Sequence, residues 1–217
     1  MVTTGTDGRA ERSRASRARV VAAATELFVR DGYAATSITA LARAAGVGTQ
    51  TVYYGFGTKR AVLAACVDAA AGDPVLRALP VLDRPPVRTL LAEPDPAVRL
   101  FRQVRTVAEL YGRAAGLLGV VRAAGAVDPE LATIWQAYDA ERRTVLRALV
   151  DSLRSDGVLR PGLAAEAATD AAAVVLGPET WGALVTGAHW RGLEWARWAH
   201  RQLLAELLGR LPDDGHA

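Results

Sequence analysis

The sequence predicts an all-α protein, and three observations carry that expectation. Apolar residues recur at three- and four-residue spacing along most of the 217 residues, as the buried stripe of a helix requires. Helix start and stop signals separate these stretches: Asp95-Pro96 and Asp128-Pro129 each set a capping side chain before a first-turn proline, and Gly32 and Gly46 stand where helices should end. No segment alternates apolar and polar residues as a half-buried strand does.

The elements follow in order. Residues 1–13 are rich in Thr, Gly, Asp and Arg and read as a flexible basic arm. The first helix is expected from about Arg14 to Asp31, with Val20, Val21, Ala24, Leu27 and Phe28 on its apolar face and Tyr33 folding back on it. Thr36 and Ser37 can cap the second helix through their hydroxyls. The third helix follows Gly46, and Thr58 caps a fourth, from Lys59 to about Ala70. Six of the ten prolines then fall between Pro74 and Pro96. Proline lacks the N–H donor and disfavours helix in the residue before it, so 73–95 reads as a connector, with one short helix near Val87–Ala92. Beyond it, helices are expected at about 96–111, 113–125, 129–156, 164–176, 179–187 and 191–210. The domains expected are therefore 14–72, a three-helix helix-turn-helix domain with a fourth helix leading out, and 96–211, a larger helical domain, with 212–217 as a tail.

The most informative stretch runs from Ser37 to Phe56. Ala42 lies four residues before Gly46, and Val52 lies six after it. A small residue at 42 lets two helices approach closely. Gly46 can take the left-handed conformation that a sharp helix exit needs, while Val47 and Val52 close the seam. Two short helices meeting this way form a helix-turn-helix, whose second helix enters the major groove of DNA. Tyr53 and Tyr54 are consecutive on the third helix, so at least one must face outward.

Charge agrees with a nucleic-acid module joined to something else. Residues 1–60 carry eight arginines and Lys59 against Asp7, Glu11, Glu26 and Asp31, whereas the remainder is slightly acidic within a net charge of +3. A lone cysteine, Cys66, excludes an internal disulfide and a cysteine-based zinc site. Three scattered histidines have no metal-ligand spacing, and no nucleophile–base constellation or phosphate loop is present. The expectation is therefore no enzyme, no cofactor and no metal. The polar N-terminus is no signal peptide, and no apolar run reaches the ~18–20 residues that span a bilayer, which points to a cytoplasmic protein without a membrane partner.

Residues 32–63 resemble the DNA-binding domain of the TetR family of bacterial transcriptional regulators. The likeness rests on Gly32-Tyr33 before the hydroxyl pair, Ala45-Gly46-Val47 at the turn, Thr51-Val52-Tyr53 on the third helix, and Phe56, Lys59 and Leu63 after it. It implies that Thr49, Gln50 and Tyr54 face the major groove, with Gln50 bonding an adenine and the methyl groups of Thr49 and Thr51 touching thymine. It further implies that Ser37, Thr39, Gly48 and Tyr53 meet phosphates, and that Lys59, the only lysine beside 25 arginines, joins the start of the fourth helix on the same phosphate. Two positions depart from the family pattern. Gly55 replaces an aromatic or histidine that helps to hold a phosphate, so either the third helix ends early or that contact is absent or moved. Thr39 replaces a charged residue. The basic arm, with Arg9, Arg12 and Arg14, is expected to add sequence-independent affinity.

The resemblance also implies a homodimer on a near-palindromic operator, a small-molecule effector bound by the C-terminal domain, and repression as the commonest outcome. Tyr111, Trp135, Tyr138 and Trp181 either line an effector pocket or fill the core. Trp195, Ala199, Leu203 and Leu207 form one stripe that serves either a dimer interface or an internal core. A non-DNA adaptor on the same scaffold is the competing reading, supported by Gly55.

Overall fold

The computed structural model describes residues 5–72 and 74–210, all of whose regular elements are helical. In chain order these are α1 (Gly5–Ala35), α2 (Ile38–Ala44), α3 (Thr49–Phe56), α4 (Lys59–Ala71), α5 (Pro74–Arg77), a 3₁₀ turn (Val81–Asp83), α6 (Pro85–Leu91), α7 (Pro96–Gly125), α8 (Pro129–Ser155), α9 (Ala165–Val175), α10 (Pro178–Trp181), a π-helical turn (Gly182–Gly187) and α11 (Gly192–Leu208). They form two compact units. One holds the chain up to Gly72 together with Gly116–Trp135, and the other holds Asp73–Ala115 together with the chain from Gln136 onward.

In the first unit, Val20, Ala24 and Phe28 sit four residues apart on α1 and are at most 1% exposed. They meet Leu41 and Ala42 of α2, Val52 of α3, and Val62, Leu63 and Cys66 of α4, all likewise buried. Tyr33 stacks on Phe28 with ring centroids 5.8 Å apart. Gly116 lets α7 approach α1, since a Cβ there would stand 3.0 Å from both terminal carbons of Val29.

The second unit is built on longer stripes. Leu100, Val104 and Tyr111 of α7 are buried with Leu146, Leu149 and Leu153 of α8 and Trp195, Ala199, Leu203 and Leu207 of α11. The α11 stripe thus serves the internal core. Arg99 is only 4% exposed yet fully engaged, donating to Glu93 O, Ser152 Oγ and Asp156 Oδ2 at 2.7–2.8 Å. That satisfies a buried guanidinium, which alone would be costly.

Three expectations need correction. Residues 5–13 are helical, not a loose arm: α1 starts at Gly5, and Arg12 Nε donates to Gly8 O within the same helix. Ala, Glu and Arg are good helix formers, and they outweigh the polar composition. Residues 1–4 and the tail 212–217 lie outside the described residues. Gly112 does not break α7, which runs unbroken through 96–125, because one interior glycine costs only about 1 kcal/mol against a long buried stripe. Residues 116–135, assigned by sequence to the C-terminal domain, group with the N-terminal unit.

Candidate nucleic-acid interface

The site is made by the turn between α2 and α3. Ser37 caps α2, its hydroxyl accepting from Ala40 N at 3.1 Å. At the other end Gly46 takes φ +64°, and two hydrogen bonds close the exit: Gly46 N to Arg43 O at 3.2 Å and Val47 N to Ala42 O at 3.0 Å. This pairing is a Schellman closure and needs a residue free of Cβ strain at its left-handed position. Ala42 and Val52 are 2% and 1% exposed, so the seam between the two helices is sealed.

Sealing that seam turns the remaining side chains of α3 outward. Tyr54 is 91% exposed and Tyr53 50%. Gln50 and Thr51 are exposed and Thr49 is half-buried. Gly48 is the N-cap with no side-chain bond to the helix, which leaves the first-turn N–H groups without a capping side chain. Ser37 and Thr39 are exposed at the start of α2. The residues that the motif assigned to DNA, Lys59 apart, therefore lie on the α2 start, the turn or α3, whereas Arg9, Arg12 and Arg14 belong to α1.

Lys59 behaves differently. Its Nζ donates to Tyr33 O at 2.8 Å and Thr36 O at 2.9 Å, and stands 4.2 Å from the Tyr33 ring centroid. The ammonium thus ties the start of α4 to the chain leaving α1. Partial burial draws its pKa below the usual lysine value. Thr36 completes the tie: it is buried, and its hydroxyl donates to Gly32 O at 2.7 Å. Beside Lys59, Arg60 pairs with Glu130 at 2.5 Å and Asp128 at 3.7 Å, at the start of α8.

Gly55 does not end the third helix, which continues to Phe56 and stops at Gly57 with φ +76°. Instead Arg17 of α1 reaches it: Nη1 donates to Gly55 O, and the guanidinium lies 4.1 Å from the Phe56 ring centroid. Sequence reasoning missed this contact, which joins residues 38 positions apart.

The aromatic candidates divide between the units. In the second, Tyr111 (1% exposed) and Trp181 (6%) pack edge-to-face at 5.7 Å, and Trp195 closes the cluster at 6.0 Å and 5.2 Å from them. Tyr138 donates to the Tyr111 hydroxyl at 3.3 Å, which itself donates to Leu176 O at 2.8 Å. Burial pushes both phenols above the usual tyrosine value, Tyr111 strongly so, and each phenol is further affected by its neighbour. Trp135 belongs to the first unit, where the Arg122 guanidinium lies 5.2 Å from its ring centroid. Among the described residues, no group of three or more His, Cys, Asp or Glu is placed to hold a metal ion. No helix there is long and apolar enough to cross a membrane.

With this geometry in hand, the chain can be compared with known proteins. Residues 20–66 match the sequence model TetR_N, described as bacterial regulatory proteins of the tetR family. A search of curated proteins finds no match. Solved structures share the fold. A TetR family transcriptional regulator, PfmR from Thermus thermophilus, is 24% identical with a TM-score of 0.62, covering 86% of this chain and 97% of its own. The transcriptional regulator FadR from Bacillus subtilis, in complex with stearoyl-CoA, is 16% identical with a TM-score of 0.67, covering 87% and 98%. A putative transcriptional regulator from Saccharomonospora viridis, in complex with choline, is 18% identical with a TM-score of 0.70, covering 89% and 98%.

Proposed function

Through residues 20–66 this chain belongs to the tetR family of bacterial regulatory proteins, as a DNA-binding transcription regulator, and on that premise we propose that it is a cytoplasmic homodimeric repressor released from a near-palindromic operator by a small molecule. One observation carries the reading: the outer face of α3 presents Gln50, Thr51, Tyr53 and Tyr54 above a seam closed by Ala42 and Val52. Gln50 can bond an adenine edge, and Thr49 and Thr51 can touch thymine methyls. Ser37, Thr39, Gly48 and Tyr53 fix the register on phosphates, helped by the open first turn of α3. Lys59 acts chiefly by holding α4 against the end of α1, with the phosphate contact secondary to its two carbonyl bonds.

A dimer follows from the need for two recognition helices roughly 34 Å apart, one turn of duplex. The α11 stripe is spent on the core, so the pairing face is assigned to the outward side of α9 and α11, where Val174 is 69% and Leu193 59% exposed. The effector is proposed to enter beside half-buried Tyr138, with Tyr111 and Trp181 behind it, and Trp135 is a second candidate. Two solved relatives of this fold hold stearoyl-CoA and choline, which supports a small-molecule ligand without choosing its chemistry.

The test is selection of bound fragments from genomic DNA, then titration with candidate effectors. A near-palindromic fragment should be enriched, and effector and DNA should weaken each other by the same factor. Enrichment of no fragment at low salt would remove the regulator; an effector that leaves DNA affinity untouched would remove induction.

A further inference from the structure

The exposed face of α3 carries no basic side chain, and the cations beside it come from α1. The opening turns of α1 carry Arg12, Arg14, Arg17 and Arg19, all exposed. Because α1 is helical from Gly5, these charges stand on a helix, with Arg12 and Arg17 on the side next to α3. Arg17 is pinned there three ways: by its bond to Gly55 O, by the Phe56 ring, and by the partial negative charge at the C-terminal end of α3. One N–H of its fork is spent on the carbonyl, and a guanidinium carries five.

Between the two helices lies an open groove of about 620 Å³. Its α1 wall carries Arg12, Ser13, Ser16 and Arg17, and its α3 wall carries Thr51 and Tyr54. Among the described residues, no carboxylate lines it. Two guanidiniums and four hydroxyls offer several donors to an anion with several oxygens. A Cβ at Gly55 would meet nothing within 4 Å, so this residue borders open space. A long side chain at 55 would grow into that opening.

We propose that this groove seats a backbone phosphate of the DNA strand flanking the major groove, with Arg17 as the fixed cation and Arg12 at the rim. The inference rests on α3 lying in the major groove. A helix in a groove about 12 Å wide has a phosphate strand on either side, and the element beside α3 meets one of them. Duplex backbone fits the charge of the surface, and a pre-placed guanidinium can grip a phosphate with two parallel bonds. Gly55, with no side chain, leaves the phosphate room beside Arg17.

Anisotropy titrations of the full chain decide it, using a fragment selected from genomic DNA and a random-sequence duplex between about 50 and 200 mM salt. Arg17→Gln should weaken both duplexes by the same factor, because a phosphate contact carries no sequence information. It should also flatten the salt slope by about 0.9 for each lost contact. Arg17→Lys should keep most of the slope. Gly55→Asp, which sets a carboxylate in the groove, should act like Arg17→Gln while helicity is retained, and it stands in if Arg17→Gln fails to fold. If wild type binds but Arg17→Gln and Gly55→Asp keep its slope, the groove holds no phosphate and the DNA reading survives. Equal losses of thermal stability in Arg17→Gln and Arg17→Lys with unchanged slopes give a purely structural role and overturn the proposal. Wild type binding neither duplex would sink the DNA reading itself.

Discussion

The α2–α3 pair and the aromatic centre of the second unit use side-chain size in opposite ways. In the first, small residues go inside: Ala42 and Val52 close the seam, and Gln50, Tyr53 and Tyr54 are left outside. In the second, the large residues go inside, where Tyr111, Trp181 and Trp195 pack edge-to-face. Their polar atoms are committed as well, Tyr111 to Leu176 O and Trp195 Nε1 to Thr180 Oγ1 at 3.3 Å. A thin core leaves functional groups for a partner, whereas a thick one consumes them. The first region presents its polar groups without rearrangement. Under the proposed function, a ligand reaching Tyr111 would first displace existing contacts, and a two-state response would depend on that differential cost.

The comparison breaks most visibly at Trp195. Trp195→Ala should destabilise the protein by about 3–5 kcal/mol, because a fully buried indole leaves a cavity the surroundings cannot refill. Denaturant unfolding measures it, and a loss below about 1 kcal/mol would mean the centre is loose enough to admit a ligand freely. Gln50→Ala should do the reverse: stability within about 0.5 kcal/mol of wild type, with about 1–3 kcal/mol of discrimination between operator and random duplex removed. Unchanged discrimination would show that Gln50 reads no base.

Alkaline pH sharpens the contrast. Both buried phenols are raised above 10, so folding favours their neutral form. Their contribution is whole below the unfolded value near pH 10 and is lost as pH climbs beyond it. Unfolding midpoints should therefore fall above about pH 10, and the fall should shrink in Tyr111→Phe. A midpoint that declines equally in the variant would clear these phenols of the effect. The smallest effect is expected at Arg60. It is 37% exposed, so Arg60→Ala should cost less than about 1 kcal/mol of stability. Because it joins α4 to the start of α8, the variant should nevertheless reduce the reciprocal weakening of effector and DNA. Full coupling in Arg60→Ala would assign that transmission elsewhere, the proline-rich connector being the other route.

Much of this could be read from sequence where the causes are local. Ser37 and Thr58 cap as their hydroxyls suggest, and Thr58 Oγ1 accepts from Ala61 N at 3.1 Å. Gly46 takes the left-handed turn, and both tyrosines of α3 are exposed. Long-range side-chain contacts have the opposite character. The ammonium of Lys59 bonds to carbonyls 23 and 26 residues away, which no motif announces. The fate of Gly55 turned on Arg17, across a gap no periodicity spans.

Helix positions, caps and the recognition turn followed from forces acting over a few residues: hydroxyl to free N–H, glycine at positive φ, apolar spacing near 3.6. Which partner each apolar stripe took was open until the chain folded, because a stripe specifies that it must be covered and not by what. The α11 stripe could have met a second copy and is buried within its own unit instead, with Trp195 against Tyr111 of α7 and Trp181 of α10. Long cationic side chains were freer still, since several acceptors lie within reach of each, and only the folded chain set Lys59 on the carbonyls of Tyr33 and Thr36 and Arg17 beside the end of α3.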